Sequence, residues 1–240
     1  MGIADSIARR FLHKALVISK EQIADNAFHL IIAGKALENL SYIPGQHVRI
    51  FIGMDKDLGF REKIRTYSIW HYNSENGTMN FVICTHSDGP GSAWIKSVKA
   101  GEEIYLTAPQ GKFIMDASAP EYLFVGDVSA LAHLYAIRRD LPSDKKMRGI
   151  IYAEKKSQLF TDLDGFLPFE FYDLSQNPLE EITTIIEQKP VVNNSEAIVY
   201  IGGDGRMCVA LNSYFKKVKG LKPKNIKTKP FWMPGKQGLE

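Results

Sequence analysis

The stretch that decides the fold is YLFVGDVSALAHLYAIRRDL, residues 122–141. It begins with a continuous apolar run, turns at Gly126 and Asp127, and continues with apolar residues at helical spacing. A strand that is apolar on both faces and leads into a helix is typical of a parallel α/β sheet. The same order recurs in residues 198–218, where the run IVYI leads through a second Gly-Asp pair into another helical pattern.

The rest of the second half fits this pattern. Short apolar runs at 150–153 and 169–172 predict two more strands, and Pro178 suits the first turn of a helix. In an open parallel sheet, a ligand binds beyond the carboxyl ends of the strands. We therefore expect the two Gly-Asp pairs to border a ligand site.

The first half has a different periodicity. Apolar and polar residues alternate along 28–32 and 48–52, and another short apolar run spans 81–84. Period-two alternation between Gly, Pro and Asn turns predicts an antiparallel barrel or sandwich. One interruption, residues 92–98, has a helical pattern.

The two halves meet at a hinge-like stretch of small residues, 117–119. We expect a first domain at residues 1–116, including a short amphipathic helix at 3–12. A second domain is expected at residues 117–240, ending in a lysine-rich tail.

Composition excludes several classes of protein. The net charge of +3 is too small to indicate a nucleic-acid partner. No run of 18 apolar residues exists, so we expect no membrane-spanning helix. The two cysteines exclude an all-cysteine iron–sulfur cluster or a four-cysteine zinc site within the chain. The six histidines show no metal-ligand spacing, so no bound metal is expected. Two cysteines form no disulfide framework, so a reducing cytoplasm is the expected location.

Residues 65–68, RTYS, suit a phosphorylated and aromatic ligand. In an extended strand, Arg65 and Tyr67 project to one face. An arginine can fork two hydrogen bonds to a phosphate, a tyrosine ring can cover a planar heterocycle, and Ser68 can hydrogen-bond the edge of that ring. Taken alone, the motif also fits an ordinary surface strand.

Residues 89–94, GPGSAW, are the second motif. Glycines allow the backbone to approach a ligand closely. If Ser92 opens a helix, its free N–H groups and dipole favour a pyrophosphate. An ordinary glycine turn is the alternative for this motif alone, but the two motifs together are far more specific.

The pair Arg-x-Tyr-Ser and Gly-Pro-x-Ser-x-Trp resembles the ferredoxin-reductase superfamily, and in detail the siderophore-interacting proteins, which are ferric-siderophore reductases. The resemblance covers roughly Leu16 to Lys236. Further similarities lie at His86 and in residues 100–104, 109–111, 126–131 and 231–236.

Three departures fall mainly on the nucleotide side. Trp70 stands where the family often has an arginine, Val128 and Ser129 replace an acidic-polar pair, and residues 203–205 are Gly-Asp-Gly instead of Gly-Glu-Ala. The Cys-Gly motif of the superfamily is also missing. Cys208 falls within a predicted helix, where we expect it to pack as a small apolar group.

The resemblance implies a Greek-key β-barrel that holds FAD and an α/β domain that binds NADPH or NADH. Tyr67 and Ser68 are the implied catalytic residues beside the flavin ring. The flavin would pass electrons to a ferric-siderophore substrate and release ferrous iron. The implied cofactor-binding residues are Arg65, Thr66, Tyr67, Ser68, His86, Gly89, Gly91, Ser92, Trp94, Gly126, Asp127, Ser129, Ala130, Gly203 and Asp204.

Eight lysines and no acid lie between residues 216 and 236. Positive charge beside a cleft raises the local concentration of anionic ligands, and many ferric chelates are anionic. We expect Lys236 to contact the substrate, with Arg61 and Lys63 as second candidates. A charged, solvated helix end is the alternative for the other lysines.

Two other functions remain open at this point. One is a reductase that passes electrons to a separate protein partner. The other is a carrier of flavin or siderophore without turnover, which the presence of a second, nucleotide-type domain argues against.

Overall fold

The computed structural model describes residues 11–52, 63–85, 89–175, 177–188 and 196–236. The chain divides into two compact units, Met1–Ile114 and Met115–Leu239. This division lies two residues before the position expected from the sequence. The helix expected at residues 3–12 lies, except for its last two residues, outside the described part.

The first unit is built on one antiparallel sheet. The alternating residues of the sequence place one row of side chains in a core that includes Leu30, Val48 and Phe81. The seven strands found among the described residues run in the order β4-β3-β7-β1-β2-β6-β5. They are β1 His13–Ala24, β2 Ala27–Ala33, β3 His47–Phe51, β4 Ile64–Ser68, β5 His71–Asn73, β6 Thr78–Cys84 and β7 Glu103–Leu106.

The antiparallel prediction is confirmed, but the pairings among the described residues do not close the sheet into a barrel. The edge strands β4 and β5 share no ladder, although only Ile69 and Trp70 separate them in the chain. The backbone N–H of Trp70 donates to the carbonyl of Asn80 on β6. The chain therefore passes from one edge of the sheet to the other within two residues.

Within the part of the first unit that the structure describes there is one α-helix, α1 (Pro90–Ser97), and it follows the glycine turn. The sequence predicts a start at Ser92, whereas the helix begins at Pro90 with Gly89 as its N-cap. Proline suits the first helical position because its missing N–H has no intrahelical partner there. Ser92 is consequently a buried residue of the first turn.

The second unit is the predicted parallel α/β structure. All strand pairs are parallel, in the order β10-β9-β8-β11-β12. The strands are β8 Glu121–Asp127, β9 Lys146–Ala153, β10 Glu170–Asp173, β11 Ile198–Asp204 and β12 Ile226–Trp232. The helices are α2 Val128–Arg139, α3 Leu179–Gln188 and α4 Gly205–Lys217.

The strand order reverses between β8 and β11, which is where ligands bind in such sheets. Helices α3 and α4 pack against one face of the sheet, through residues such as Ile182 and Leu211. Helix α2 covers the other face, where the His133 ring meets the Phe231 ring edge-on. Both Gly-Asp pairs lie at the carboxyl edge, each leading into a helix.

The expected lysine-rich tail contains a strand that the sequence analysis missed. Strand β12 pairs with β11 along its whole length. Its side chains are mostly half-exposed and two of them are lysines, so it carries no continuous apolar run. An edge strand of this kind gives no periodic signal.

Among the described residues, no helix is both long enough and apolar enough to cross a bilayer.

Candidate functional site

The two motifs of the first unit lie against each other. Arg65 and Tyr67 sit on one face of β4, as the alternation predicts. A Cβ atom added to Gly91 would lie 2.7 Å from the Tyr67 hydroxyl and 3.6 Å from carbons of the Arg65 side chain. A side chain at position 91 would therefore force the Tyr67 ring to move while the start of α1 keeps this close approach to β4.

Aromatic rings continue this surface. The rings of Tyr67 and Trp94 are stacked, with centroids 6.0 Å apart and an interplanar angle of 22°. Both side chains are partly exposed. One face of this pair can extend the stack with a further planar ring, which is the arrangement that a flavin ring needs.

The start of α1 provides the polar side of the site. Gly89 is the N-cap of the helix and, being a glycine, contributes no capping side chain. Free N–H groups at a helix start suit phosphate oxygens. Thr85, four residues earlier, has a buried hydroxyl with no hydrogen-bond partner. The unsatisfied hydroxyl, the guanidinium and the helix start together fit a phosphorylated flavin.

The other residues of the first unit that the sequence analysis singled out lie outside this surface or outside the described residues. Thr66 and Ser68 are half-buried on β4, opposite Arg49 and His47 of β3. His86 lies outside the described residues. Trp70 is buried with its ring edge-on to the His29 ring, so it fills the core at the position where the family often carries an arginine.

The first Gly-Asp corner of the second unit is closed by its own carboxylate. Asp127 caps α2, and its Oδ1 atom accepts hydrogen bonds from the backbone N–H and the hydroxyl of Ser129. Its Oδ2 atom accepts from the backbone N–H of Asp204 at 2.7 Å and from the indole N–H of Trp232 at 2.9 Å. Asp127 thus ties β8, β11 and β12 together.

The second corner carries a guanidinium. Asp204 caps α4 by accepting from the backbone N–H of Arg206. The Arg206 side chain also donates to the same carboxylate, through Nε at 3.0 Å and Nη2 at 2.6 Å. The Asp204 side chain is 3% exposed and that of Arg206 is 42% exposed. The positive charge therefore faces solvent and neutralises the buried acid.

Three small residues predicted to contact the nucleotide lie in closely packed positions at the carboxyl edge of the sheet. A Cβ atom on Gly126 would lie 2.8 Å from the carbonyl of Gly202. The Ala130 side chain is fully buried, and a Cβ atom on Gly202 would lie 2.8 Å from its methyl group. Gly203 has a φ of +119°, and a Cβ atom there would collide with the carboxylate of Asp127.

Two buried groups lie under the first turn of α4. Cys208 is 2% exposed, and burial raises the pKa of its thiol to about 12, which confirms the expected apolar role. Tyr152, on β9 beside Asp127, is 5% exposed, and its hydroxyl has no hydrogen-bond partner. Burial and then the nearby carboxylates of Asp127 and Asp204 raise the pKa of Tyr152.

The predicted substrate residues lie in different environments. Lys236 is exposed, four residues beyond the carboxyl end of β12. Lys63 is only 9% exposed, so it offers little surface to a docked molecule. Arg61 lies outside the described residues.

Comparison with known proteins divides the chain in the same way. The family described as "Oxidoreductase FAD-binding domain" matches residues 14–115, and the family described as "Siderophore-interacting protein" matches residues 119–235. The second half of the chain thus matches the siderophore-interacting protein family, and the first half matches an FAD-binding oxidoreductase domain. It is an FAD-binding oxidoreductase with the fold of the ferredoxin reductases.

Several relatives span most of the chain. Ferric vibriobactin reductase ViuB of Vibrio cholerae is 22% identical over 246 residues, covering 91% of this chain and 88% of that protein. The siderophore-interacting protein SipS of Aeromonas hydrophila has a TM-score of 0.76 at 18% identity, covering 94% and 92% of the two chains. NADH-cytochrome b5 reductase 1 of Cryptococcus neoformans is 22% identical over 142 residues, which is 57% of this chain and 47% of that protein.

The structure adds three residues to which the sequence analysis gave no role. Trp232 binds Asp127, Arg206 pairs with Asp204, and the hydroxyl of Tyr152 is buried without a partner. Arg206 could have been noticed, because it follows the second Gly-Asp pair by two positions. Tyr152 gives no signal in the sequence, since tyrosine is common in buried strands.

Proposed function

We propose that this protein passes electrons from a reduced pyridine nucleotide, through FAD, to the ferric iron of a siderophore chelate. The observation that carries the proposal is the contact of Gly91 with both Tyr67 and Arg65. It joins two motifs from different parts of the chain into one surface. The family membership of both halves and the likeness to a ferric vibriobactin reductase support the choice of substrate.

The residues of the first unit position the flavin. Arg65 and the start of α1 bind its phosphates, since both present donors and positive potential. Tyr67 and Trp94 hold the ring by stacking, and Ser68 hydrogen-bonds its edge. FAD, when bound, accepts two electrons as a hydride and releases them singly, which suits a ferric substrate.

The second unit binds the electron donor, NADPH or NADH, at the carboxyl edge of its sheet. The reversal of strand order between β8 and β11 supports this placement. Of the residues expected from the sequence, Asp127 and Ala130 serve by holding the edge together, because their side chains are occupied within the protein. Ser129 and Asp204 lie at the helix starts that flank the reversal.

The direction of the parallel strands places the lysines of the tail at different edges of the sheet. Lys216 and Lys217 lie in the last turn of α4, and Lys222 and Lys224 lie between α4 and the start of β12, so these four are at the amino edge of the sheet. Lys236 follows the carboxyl end of β12, the same edge that holds the Gly-Asp corners. We therefore retain Lys236 as the contact for an anionic ferric-siderophore and assign the other four no part in the site.

Flavin binding is tested by titrating the apoprotein with FAD. Arg65→Ala should weaken binding by about 1.5–3 kcal/mol, the cost of a charge-assisted hydrogen bond. Arg49→Ala is the matched control, because Arg49 is exposed on the neighbouring strand and pairs with Thr66, not with Arg65. Wild-type protein that shows no saturable FAD binding would refute the proposed function.

The substrate contact is tested with an anionic and a neutral ferric chelate at low and high salt. Lys236→Ala should slow reduction of the anionic chelate only, and the difference should shrink as salt screens the charge. Lys224→Ala removes the same charge from the opposite edge and should leave both rates unchanged. Equal effects of the two variants would remove Lys236 from the mechanism.

A further inference from the structure

The loop between β9 and β10 exposes three large apolar side chains within five residues. Leu163 is 41% exposed, and Phe166 and Leu167 are each 53% exposed. Single apolar residues are common at protein surfaces, whereas an exposed apolar cluster marks a site that binds another molecule or a membrane. This apolar loop is therefore a candidate interaction surface.

The apolar loop is held by its own hydrogen bonds and by α2. The backbone N–H of Asp162 donates to the carbonyl of Phe166, and that of Gly165 donates to the carbonyl of Asp162. The Asp162 carboxylate is buried, pairs with Arg139 of α2 and accepts from the backbone N–H of Leu163. Because the loop is ordered in advance, little entropy is lost when its side chains bind.

The apolar loop lies at the amino edge of the parallel sheet. The Arg138 guanidinium lies over the Phe166 ring, 5.0 Å from its centroid, and Arg138 belongs to the last turn of α2. Helix α2 follows β8 and returns the chain toward the start of the next parallel strand. Its last turn is consequently at the edge opposite to the Gly-Asp corners.

The same edge carries exposed positive charge at the end of α4. The basic cluster consists of Lys216, Lys217, Lys222 and Lys224, all exposed. No ion pair joins any of the four to an acid within the described part of the chain. Four acids of this edge are taken by other lysines, in the pairs Asp116–Lys227, Glu121–Lys146, Asp144–Lys145 and Glu187–Lys219.

The basic cluster stands on an anchored segment. Gly220 has a φ of +68°, and the backbone N–H of Leu221 donates to the carbonyl of Phe215, which closes the end of α4. The Leu221 side chain is buried in the core beneath the helix. Val218, between two lysines, is 66% exposed and adds an apolar side chain to the charged surface.

An anionic bilayer surface matches both features. It attracts cations over a wide area and accepts apolar side chains at the boundary between headgroups and acyl chains. The five strands, spaced by about 4.8 Å, span only about 20 Å, so one flat surface can contact both the apolar loop and the basic cluster. A nucleic acid fits less well, because residues 216–224 hold no arginine and no aromatic ring to stack on bases.

We propose that the amino edge of the second unit docks the protein on an anionic phospholipid surface, with the apolar loop inserted at the headgroups and the basic cluster held against them. Two exposed acids near the loop, Asp140 and Asp164, oppose the attraction, so the lysines must supply it. This inference goes beyond the proposed function and does not depend on it. Docking by this edge leaves the carboxyl edge of the sheet open to ligands from solution.

The test is co-sedimentation of the full chain with vesicles of phosphatidylcholine and with vesicles of equal parts phosphatidylcholine and phosphatidylglycerol. The wild type should bind the anionic vesicles only, and less at high salt. Lys216→Gln combined with Lys222→Gln should weaken binding about tenfold or more, since each lysine near such a surface contributes about fivefold. Lys155→Gln combined with Lys156→Gln, two exposed lysines beyond the carboxyl end of β9, is the charge-matched control.

The apolar loop is tested separately with Phe166→Ser. Binding to anionic vesicles should fall about threefold to tenfold, because a half-exposed aromatic ring no longer leaves water. Val209→Ser removes an apolar side chain that is 70% exposed in the middle of α4, and it should bind as the wild type does. Unchanged thermal midpoints show that the variants are folded.

The outcomes separate this inference from its alternatives and from the proposed function. Wild-type protein that does not sediment with anionic vesicles, or control variants that lose as much binding as the test variants, would overturn it. Binding to a duplex oligonucleotide that needs the same lysines, with vesicle binding unaffected by Phe166→Ser, would assign the charge to polyanions in general and overturn it as well. Self-association lost in Phe166→Ser, without vesicle binding, would assign the loop to a second copy of the chain. Flavin that no nucleotide reduces would refute the proposed function and leave this inference standing.

Discussion

The two Gly-Asp corners of the second unit share a sequence pattern and differ in chemistry. At the first corner, the Asp127 carboxylate is saturated by donors from β11, β12 and α2. At the second, Asp204 is paired with one half-exposed arginine. The first corner is thus a structural joint, whereas the second keeps a cation at the surface.

The comparison teaches that a Gly-Asp pair at the end of a strand does not itself identify a ligand contact. The position of the groups that donate to the carboxylate decides whether the corner is available to a ligand. Trp232, which lies more than a hundred residues beyond Asp127 in the chain, donates to it. Arg206 lies two residues beyond Asp204, so that acid is satisfied locally and the corner stays open.

The largest expected effect is on stability at the first corner. Asp127→Ala removes a helix cap and leaves buried N–H groups without acceptors, so the free energy of unfolding should fall by about 3 kcal/mol or more. Asp204→Ala should cost about 1–2 kcal/mol, because it loses a cap and a partly exposed ion pair. Urea denaturation measures both.

The exposed acid Asp173, at the end of β10, provides the control for these variants. Asp173→Ala should change the free energy of unfolding by less than about 0.5 kcal/mol. Equal losses for Asp127→Ala and Asp204→Ala would erase the distinction between the corners.

The next largest expected effect is the difference in stability between alanine substitutions at two glycines, one at each corner. Gly203 has a φ of +119°, and a Cβ atom there would collide with the Asp127 carboxylate, so Gly203→Ala should cost about 2 kcal/mol or more. At Gly205, a Cβ atom would come too close only to the flexible end of Met233, since its next neighbours lie at the ordinary contact distances of 3.4 and 3.5 Å, and alanine favours a helix. We expect Gly205→Ala to lie within about 1 kcal/mol of the wild type by urea denaturation. A tolerated Gly203→Ala would show that the first corner is less tightly packed than described.

The smallest effect is a pH dependence near the second corner. Burial lowers the pKa of Lys229, on β12, to about 8. Between pH 8 and the ordinary lysine value of 10.5, the unfolded chain binds more protons than the folded one, so this residue makes stability rise with pH. The urea midpoint of the wild type should therefore rise relative to that of Lys229→Met as the pH increases from 8 to 10. A difference that does not change with pH would contradict the desolvation of this half-buried lysine.

Much of the fold could be predicted because its signals are local. Apolar runs that lead into helical patterns predicted β8 with α2 and β11 with α4, and the alternation in the first half predicted the antiparallel sheet. Strand β12 could not be predicted, because its stability comes from pairing with β11 while its side chains are polar and half-exposed.

In the candidate site as well, only the features that depend on local sequence could be predicted. The spacing of Arg65 and Tyr67 on one strand predicted that they share a face, and the contact of both with Gly91 agrees. Tyr152 could not be predicted, since its interest lies in a missing partner, which only three-dimensional packing reveals. The predicted cofactor and substrate residues otherwise remain proposals.

The central claim, electron flow from nucleotide through flavin to chelated iron, has a direct test. FAD-loaded protein is mixed with NADPH, or with NADH, under anaerobic conditions, and the visible flavin absorption is followed in a stopped-flow instrument. A ferric-siderophore is then added from a second syringe. We predict that the absorption is lost with at least one nucleotide and returns on addition of the ferric chelate, with ferrous iron appearing in step. Flavin that stays oxidised with both nucleotides, or stays reduced in the presence of the chelate, would contradict the account.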